Sequence, residues 1–536
     1  MAVDNVVAED DQAPGSARRR VPWTTWLPAA VVALGAAIRV RQWAGARSLW
    51  LDEAMVALNV LDLGFRDLAG ELRFNQGAPA GWLWAERAMY LAFGPEERPL
   101  RVVPLITGVA ALVVFWVLAR RVVGPSRAPL AVAVAALSPH LVRYSNEVKQ
   151  YQTDVLAYVT IVLVAVLVAE AAPGTARWRR LVVAWAVVGA GAVWVSHPAV
   201  LMLAPAAVLV AVPMLRRRDW WSLALWGSAC AAWSLSWAVH YQVSLRPLSE
   251  NPGFRTYWQR AFPDEGLAVG SVASWLGRLA GDLVDDPLGF GPAALALVAI
   301  GLGAVLLVAS RPLPGLIALA PLPVFLAVAA TSRYPLFERL ALALVPMAAL
   351  CLAALWPSGL DRRRPGAMVA GLAAAALVLV VAVPPMWRTL PQLVTRHEVQ
   401  ELRAPLEALR DERRDGDLVL ATVGSQHAAN YYGRVLGLQT NGVFLPGAPD
   451  SPCDDLTTLA NAGADRTRTW LVVSHRLGMT WAQERDLISR FGLVAGLRAR
   501  HVDQDAGVWL FDPALPPAAS LADFPSGPCL RIVRVR

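Results

Sequence analysis

At 536 residues, 56% hydrophobic and only 17% charged, the chain is too apolar for a single soluble domain, which averages about 25% charged residues. Its formal charge of +8 does not indicate nucleic acid, because the arginines fall in short clusters between apolar stretches rather than along one basic stripe. Lipid is the solvent for most of this sequence.

Arg18 to Arg20 precede an apolar run from about Trp23 to Ile38, which reads as a signal peptide or as a first membrane helix. Ala44-Gly45-Ala46 offers a cleavage-like site, but Arg39 and Arg41 separate it from the apolar core, which favours a retained helix and makes residues 1–22 a cytoplasmic tail. On either reading the following segment, about residues 42–99, lies outside. It carries Ser48-Leu49-Trp50-Leu51-Asp52-Glu53, then Phe65-Arg66-Asp67-Leu68, a turn at Asn75-Gln76-Gly77-Ala78-Pro79, and an apolar stretch from Gly81 to Phe93. The last of these suits a short interfacial helix with its apolar face in lipid.

Stretches able to cross a hydrocarbon layer of about 30 Å recur up to residue 387, and about eleven meet that length. They begin near Trp23, Arg101, Ala128, Thr153, Leu181, Pro198, Ser222, Gly289, Leu313, Leu336 and Pro365. Alternate connections hold the arginines: Arg18 to Arg20, Arg120-Arg121 with Arg127, Arg177 with Arg179-Arg180, Arg216 to Arg218, Arg311, and Arg362 to Arg364. The positive-inside rule makes these cytoplasmic and the remaining connections external. Tryptophans such as Trp23, Trp50, Trp220, Trp356 and Trp387 lie near span ends, where an interfacial aromatic belt forms.

Residues 388–536 have the composition of a soluble α/β domain placed outside. Glu398 to Arg413 and Trp481 to Phe491 read as helices; Asp417 to Thr422, Thr469 to Ser474 and Val508 to Phe511 read as strands. Cys230 and Cys351 fall within spans, whereas Cys453 and Cys529 are external and free to bond. No pair of cysteines has metal-ligand spacing.

Asp52 has two readings. As a general base it would accept the proton of an attacking hydroxyl; as a helix cap it would serve the apolar run that follows. Glu53 points about 100 degrees away on a helix, so the two do not form a carboxylate pair. Its roles are to assist a divalent metal at this loop, to orient a neighbour or to cap. The second motif, Arg143-Tyr144-Ser145-Asn146-Glu147-Val148-Lys149-Gln150-Tyr151, follows Leu137-Ser138-Pro139-His140. Arg143 or Lys149 would neutralise a departing phosphate, against the plainer role of cations that snorkel at a helix end. Arg333-Tyr334 and Glu338-Arg339 sit at another external end, where a local Glu338–Arg339 pair is the alternative. His197, at the Val195-Ser196-His197-Pro198 corner, reads as structural or substrate-orienting.

The Ser-Leu-Trp-Leu-Asp-Glu run and the Ser-Pro…Tyr-Ser…Glu…Lys…Tyr run resemble the first two external loops of membrane-embedded glycosyltransferases of the GT-C class, particularly bacterial relatives of the protein mannosyltransferases. That resemblance implies a polytopic α-helical GT-C fold over residues 23–387 and an external α/β domain after it. It implies transfer of a sugar, with inversion, from a polyprenyl-phosphate donor to a glycan, lipid or protein acceptor outside the bacterial cytoplasmic membrane. Asp52 would be the base, with Arg143, Tyr144, Glu147, Lys149, Tyr151, Arg333, Tyr334 and Arg339 around the substrates. Lys149 stands where the family commonly has arginine, and Gly77-Ala78-Pro79-Ala80-Gly81 replaces its first-loop histidine or Pro-Pro pair. The competing classes are a transporter of lipid-linked sugars, which would bury its ionisable groups near the midplane, and a non-catalytic cell-envelope scaffold.

Overall fold

A computed structural model describes residues 23–264, 266–357, 363–396, 400–422, 424–438, 442–444, 467–475, 496–503 and 506–516. Among them, seven helices are long and apolar enough to cross a membrane. With α1 (Trp23–Ala44), α2 (Leu51–Asp62) and α3 (Ala80–Phe93) preceding them, these are α4 (Val102–Val122), then, after α5 (Ala128–Ala136) and α6 (Pro139–Tyr144), α7 (Tyr151–Glu170), α8 (Ala176–Val195) and α9 (Ala199–Arg216). Beyond α10 (Trp220–His240) and α11 (Val269–Leu283) come the last three of the seven, α12 (Ala293–Ser310), α13 (Pro312–Ala330) and α15 (Pro365–Thr389), with the shorter α14 (Leu344–Leu355) before α15. The four other expected spans coincide with α1, α5, α10 and α14. Of these, α5 and α14 have only 9 and 12 residues. The run from Ala128 stops early because Ser138 accepts from the Leu141 amide at 3.3 Å and Pro139 starts a new helix, α6.

The chain reverses so that arginines collect at one side and the candidate loops at the other. On the arginine side Arg121 pairs with Glu170 and Arg127 donates to the Trp356 carbonyl at 2.8 Å, joining the ends of α4, α7 and α14. On the loop side Arg39 is fully buried, donating to Ser145 Oγ at 3.0 Å and the Ala136 carbonyl at 2.9 Å. A Cβ on Gly108 would lie 2.3 Å from that serine oxygen, so only glycine lets α4 approach this turn.

The expectation that α3 lays its apolar face in lipid is corrected in part. Trp82 and Leu83 are buried within the protein, and Trp84 stacks on Trp194 of α8 at 5.6 Å. Only the far end, with Leu91 and Phe93, is exposed.

The C-terminal region forms a five-stranded sheet of order β2-β1-β3-β5-β4, built from β1 (Leu418–Thr422), β2 (Gly442–Phe444), β3 (Thr469–Val473), β4 (Gly496–Asp503) and β5 (Ala506–Asp512). β1 is parallel to β2 and β3, whereas β5 runs antiparallel to β3 and β4. β1, β3 and β5 match the expected strands. The first expected helix is shorter, α16 (Arg403–Glu412), and α17 (Gln426–Leu436), β2 and β4 are additions. The helix expected at 481–491 and both Cys453 and Cys529 lie outside the described residues.

This domain is fixed to the loop that precedes α2. The Leu49 amide donates to Tyr432 Oη at 2.8 Å, and Ser48 Oγ bonds Glu401 while accepting from the Leu402 and Arg403 amides at 3.2 and 3.0 Å. Arg403 also reaches Glu96 and Glu97, each at 2.6 Å.

Candidate active site

The first loop turns into α2 at Trp50, and the third helical position, Glu53, reaches back to the Trp50 amide at 3.4 Å. Glu53 is entirely buried and holds three stretches of chain together. It accepts from Arg101 at 2.9 Å through both oxygens, lies 3.1 Å from Arg47, and takes the Val148 amide at 2.9 Å. Burial alone would raise its pKa, but Arg101 and Arg47 outweigh it and hold the carboxylate below its ordinary range. Arg101 in turn donates to the carbonyls of Arg47 and Ser48 at 2.5 and 3.2 Å. Glu53 is thus a positioning residue, one of the roles the sequence left open.

Asp52, one step around the helix, faces a different space. Its Oδ2 accepts from Arg339 Nη2 at 2.9 Å and its side chain keeps 15% exposure, against none for Glu53. It does not cap α2. Arg339 donates through Nε to Tyr151 Oη at 3.1 Å, and its guanidinium stands over the rings of Tyr151 and Trp258 at 6.0 and 5.4 Å. Burial works against the charge of Arg339, but Tyr151 and Asp52 more than offset it and raise its pKa. The Glu338–Arg339 contact, at 3.9 Å, is secondary.

The second motif encloses the same space. Lys149 donates to Gln76 Oε1 at 2.7 Å, and Gln150 to the Gly77 carbonyl at 3.3 Å, so the 75–79 turn is bound to this motif. Burial lowers the pKa of Lys149, with Asp52 acting the other way. Arg143 pairs with the buried Glu147 at 2.7 Å and lies 5.9 Å from the Trp50 ring; Tyr144 meets Tyr151 edge-on at 5.4 Å. Glu147 also faces Arg47 at 3.6 Å.

Asp52, Arg143, Tyr144, Glu147, Lys149, Tyr151 and Arg339 therefore converge. Arg333 remains exposed, and Tyr334 donates to the Leu340 carbonyl at 2.9 Å, supporting the Arg339 turn from behind. His197 packs beside His240 at 5.9 Å and is pushed down to about 3, mainly by burial. Arg47, Arg101, Gln76 and Trp258 were not anticipated: each is an ordinary loop residue until the fold brings it to a carboxylate or a cation. The residues do not fit a divalent metal. Both carboxylates at the loop are already held by guanidinium groups, and no group of three His, Cys, Asp or Glu suited to a metal occurs among the described residues.

Residues 78–238 match the family described as dolichyl-phosphate-mannose-protein mannosyltransferase; the matched stretch contains the Arg143–Tyr151 motif and stops short of Asp52. No curated protein matches the chain. Among solved structures, apo ArnT from Cupriavidus metallidurans superposes with a TM-score of 0.50 at 15% identity, covering 92% of this chain and 98% of ArnT. ArnT bound to undecaprenyl phosphate gives 0.50 at 16% identity, with 92% and 99% covered. At that identity the likeness is one of fold. The chain therefore has the fold of ArnT, with seven helices long and apolar enough to cross a membrane among the described residues, and the pattern of the protein-mannosyltransferase family over residues 78–238.

Proposed function

We propose that this protein transfers a sugar from a polyprenyl-phosphate donor to an acceptor hydroxyl at the outer face of a bacterial cytoplasmic membrane, with Asp52 as general base. The observation that carries the reading is the contact of Asp52 with Arg339 at 2.9 Å beside Lys149. A base and two phosphate-binding cations then share one partly open space. In the reaction the acceptor oxygen attacks the anomeric carbon as the sugar–phosphate bond breaks. Asp52 takes the hydroxyl proton, and the bonding electrons pass to the lipid phosphate, whose growing charge Arg339 and Lys149 neutralise. A single displacement with one base inverts the anomeric centre.

Binding of undecaprenyl phosphate by ArnT, which shares the fold, supports the lipid-phosphate donor. Placement outside rests on the arginine clusters at the opposite ends of the helices. The ionisable groups gather at helix ends, which favours an interfacial enzyme over a transporter. The C-terminal domain covers the catalytic loop from outside.

The test compares envelope glycans and lipid-phosphate sugars in cells lacking the protein, in cells restored with it, and in cells restored with the Asp52→Asn variant. Loss of one glycan with accumulation of one donor is expected in the first and third. Restoration of the glycan by Asp52→Asn would overturn the mechanism.

A further inference from the structure

The C-terminal sheet aims its chemistry at the membrane site. β1 lies between two parallel neighbours, and the chain leaves it toward β2 on one side and reaches β3 on the other. The crevice beyond the carboxyl ends of β1 and β3 is therefore a topological switch point, the place where open α/β sheets bind ligands. Three features converge there.

The first is close approach of backbone. A Cβ on Gly424 would lie 1.8 Å from the His475 carbonyl oxygen, so glycine is required for the two strand ends to meet. The second is the amino end of α17, whose capping residue Ser425 makes no side-chain cap. Ser425 Oγ instead accepts the Ser474 amide at 2.5 Å and bonds Thr422 Oγ1 at 2.7 Å. The positive end of α17 is left without that cap. The third is a set of polar groups without work. Ser474 is 1% exposed and its hydroxyl has no partner among the described residues; His427, in the first turn of α17, is 9% exposed and its Nδ1 has none among them.

These groups face the catalytic loop. His427 packs on Phe74 with ring centroids 4.4 Å apart, two residues before the Gln76 that holds Lys149. His475 packs on Trp50 at 5.8 Å, and Asp52 is near enough to act on its charge. Burial lowers the pKa of both imidazoles, so each offers one N–H donor near neutral pH.

We infer that this crevice, formed by Ser474, His475, His427 and the amino end of α17, binds an anionic group of the acceptor, a phosphate or carboxylate carried on a glycan, and so presents a neighbouring hydroxyl to Asp52. Each of these side chains can donate a hydrogen bond and the uncapped amino end of α17 adds a positive partial charge, which favours an anion over a neutral sugar. The inference rests on the proposed transfer reaction for the identity of its ligand as acceptor.

Binding is tested without turnover. The full chain in lipid nanodiscs is titrated with glycerol phosphate, with glucuronate and with glucose, and thermal stability is followed. A stabilising shift with glycerol phosphate identifies a phosphate ligand, one with glucuronate a carboxylate ligand, and glucose should give none. Ser474→Ala removes a hydroxyl that holds no partner, so the protein should fold as before. That change and His475→Gln should each raise the half-saturating concentration about tenfold, the usual consequence of losing one hydrogen bond to a charged group. A shift that survives both substitutions would place the anion at Lys149 and Arg339 and overturn the inference, as would equal stabilisation by glucose or no shift with any probe. The reading of Asp52 is separate: if Asp52→Asn abolishes transfer while no anion binds the crevice, the mechanism stands and this inference alone fails.

Discussion

Two adjacent carboxylates have opposite fates because successive helical positions diverge by about 100 degrees. Asp52→Asn keeps the shape of the side chain and removes the oxygen basicity that proton transfer needs. Turnover should fall about 10² to 10⁴-fold while thermal stability and membrane insertion stay unchanged, as steady-state assays and melting curves would register. Retention of wild-type turnover would return Asp52 to a charge partner for Arg339. Lys149 makes a pH prediction. In the proposed reaction its charged form serves the phosphate, and burial lowers its pKa, so donor binding should be present below that lowered value and lost as pH rises through it, earlier than for an ordinary lysine near 10.5. Lys149→Arg, whose guanidinium stays charged above about 12, should carry the alkaline limb of donor KM to higher pH. An unmoved limb would mean that another group sets it.

At the level of elements, Glu53 is what makes a site out of three loops, since Arg47, Arg101 and the Val148 amide all converge on it. Glu53→Gln leaves the buried Arg101 without its anion and Arg47 with only Glu147 at 3.6 Å. It should cost about 3 to 5 kcal/mol, measured as a large fall in melting temperature that Asp52→Asn does not share. A Glu53→Gln protein of normal stability and reduced turnover would instead make Glu53 a participant in the chemistry. Asp52 was singled out in the sequence by its place beyond the first apolar span together with its Ser-Leu-Trp flank, since the Asp-Glu pair alone reads as a helix cap. Arg47 and Arg101 were not, since a loop arginine acquires its role only from a carboxylate some distance along the chain. Arg339 was legible and Arg333 misleading for one reason: both end an apolar stretch, and only the short helical turn at Glu338–Ala341 decides which enters the site. β4 escaped notice because it is an edge strand with most residues exposed, so it lacks the near-continuous apolar run that marked β1, β3 and β5.

For the whole molecule, the alternation of arginine clusters was readable because topology is written in loop charge, whereas helix length was not. An apolar run says nothing of a break such as Ser138-Pro139 until a cap forms there. Reporter tags after Arg218 and Arg364 should read cytoplasmic and one after Arg396 external; a cytoplasmic signal at Arg396 would put the C-terminal domain and the proposed chemistry on the wrong side of the membrane.

The bonds from Ser48 and Leu49 to Glu401 and Tyr432 join parts of the chain made at very different times. During synthesis Asp52 leaves the ribosome well before Tyr432, yet the backbone just before it gains its last buried partners only after Tyr432 has been added. A nascent chain already threaded through the membrane would still carry a loosely held Asp52 loop, so on the proposed reaction it could not consume a lipid donor before the C-terminal domain was made.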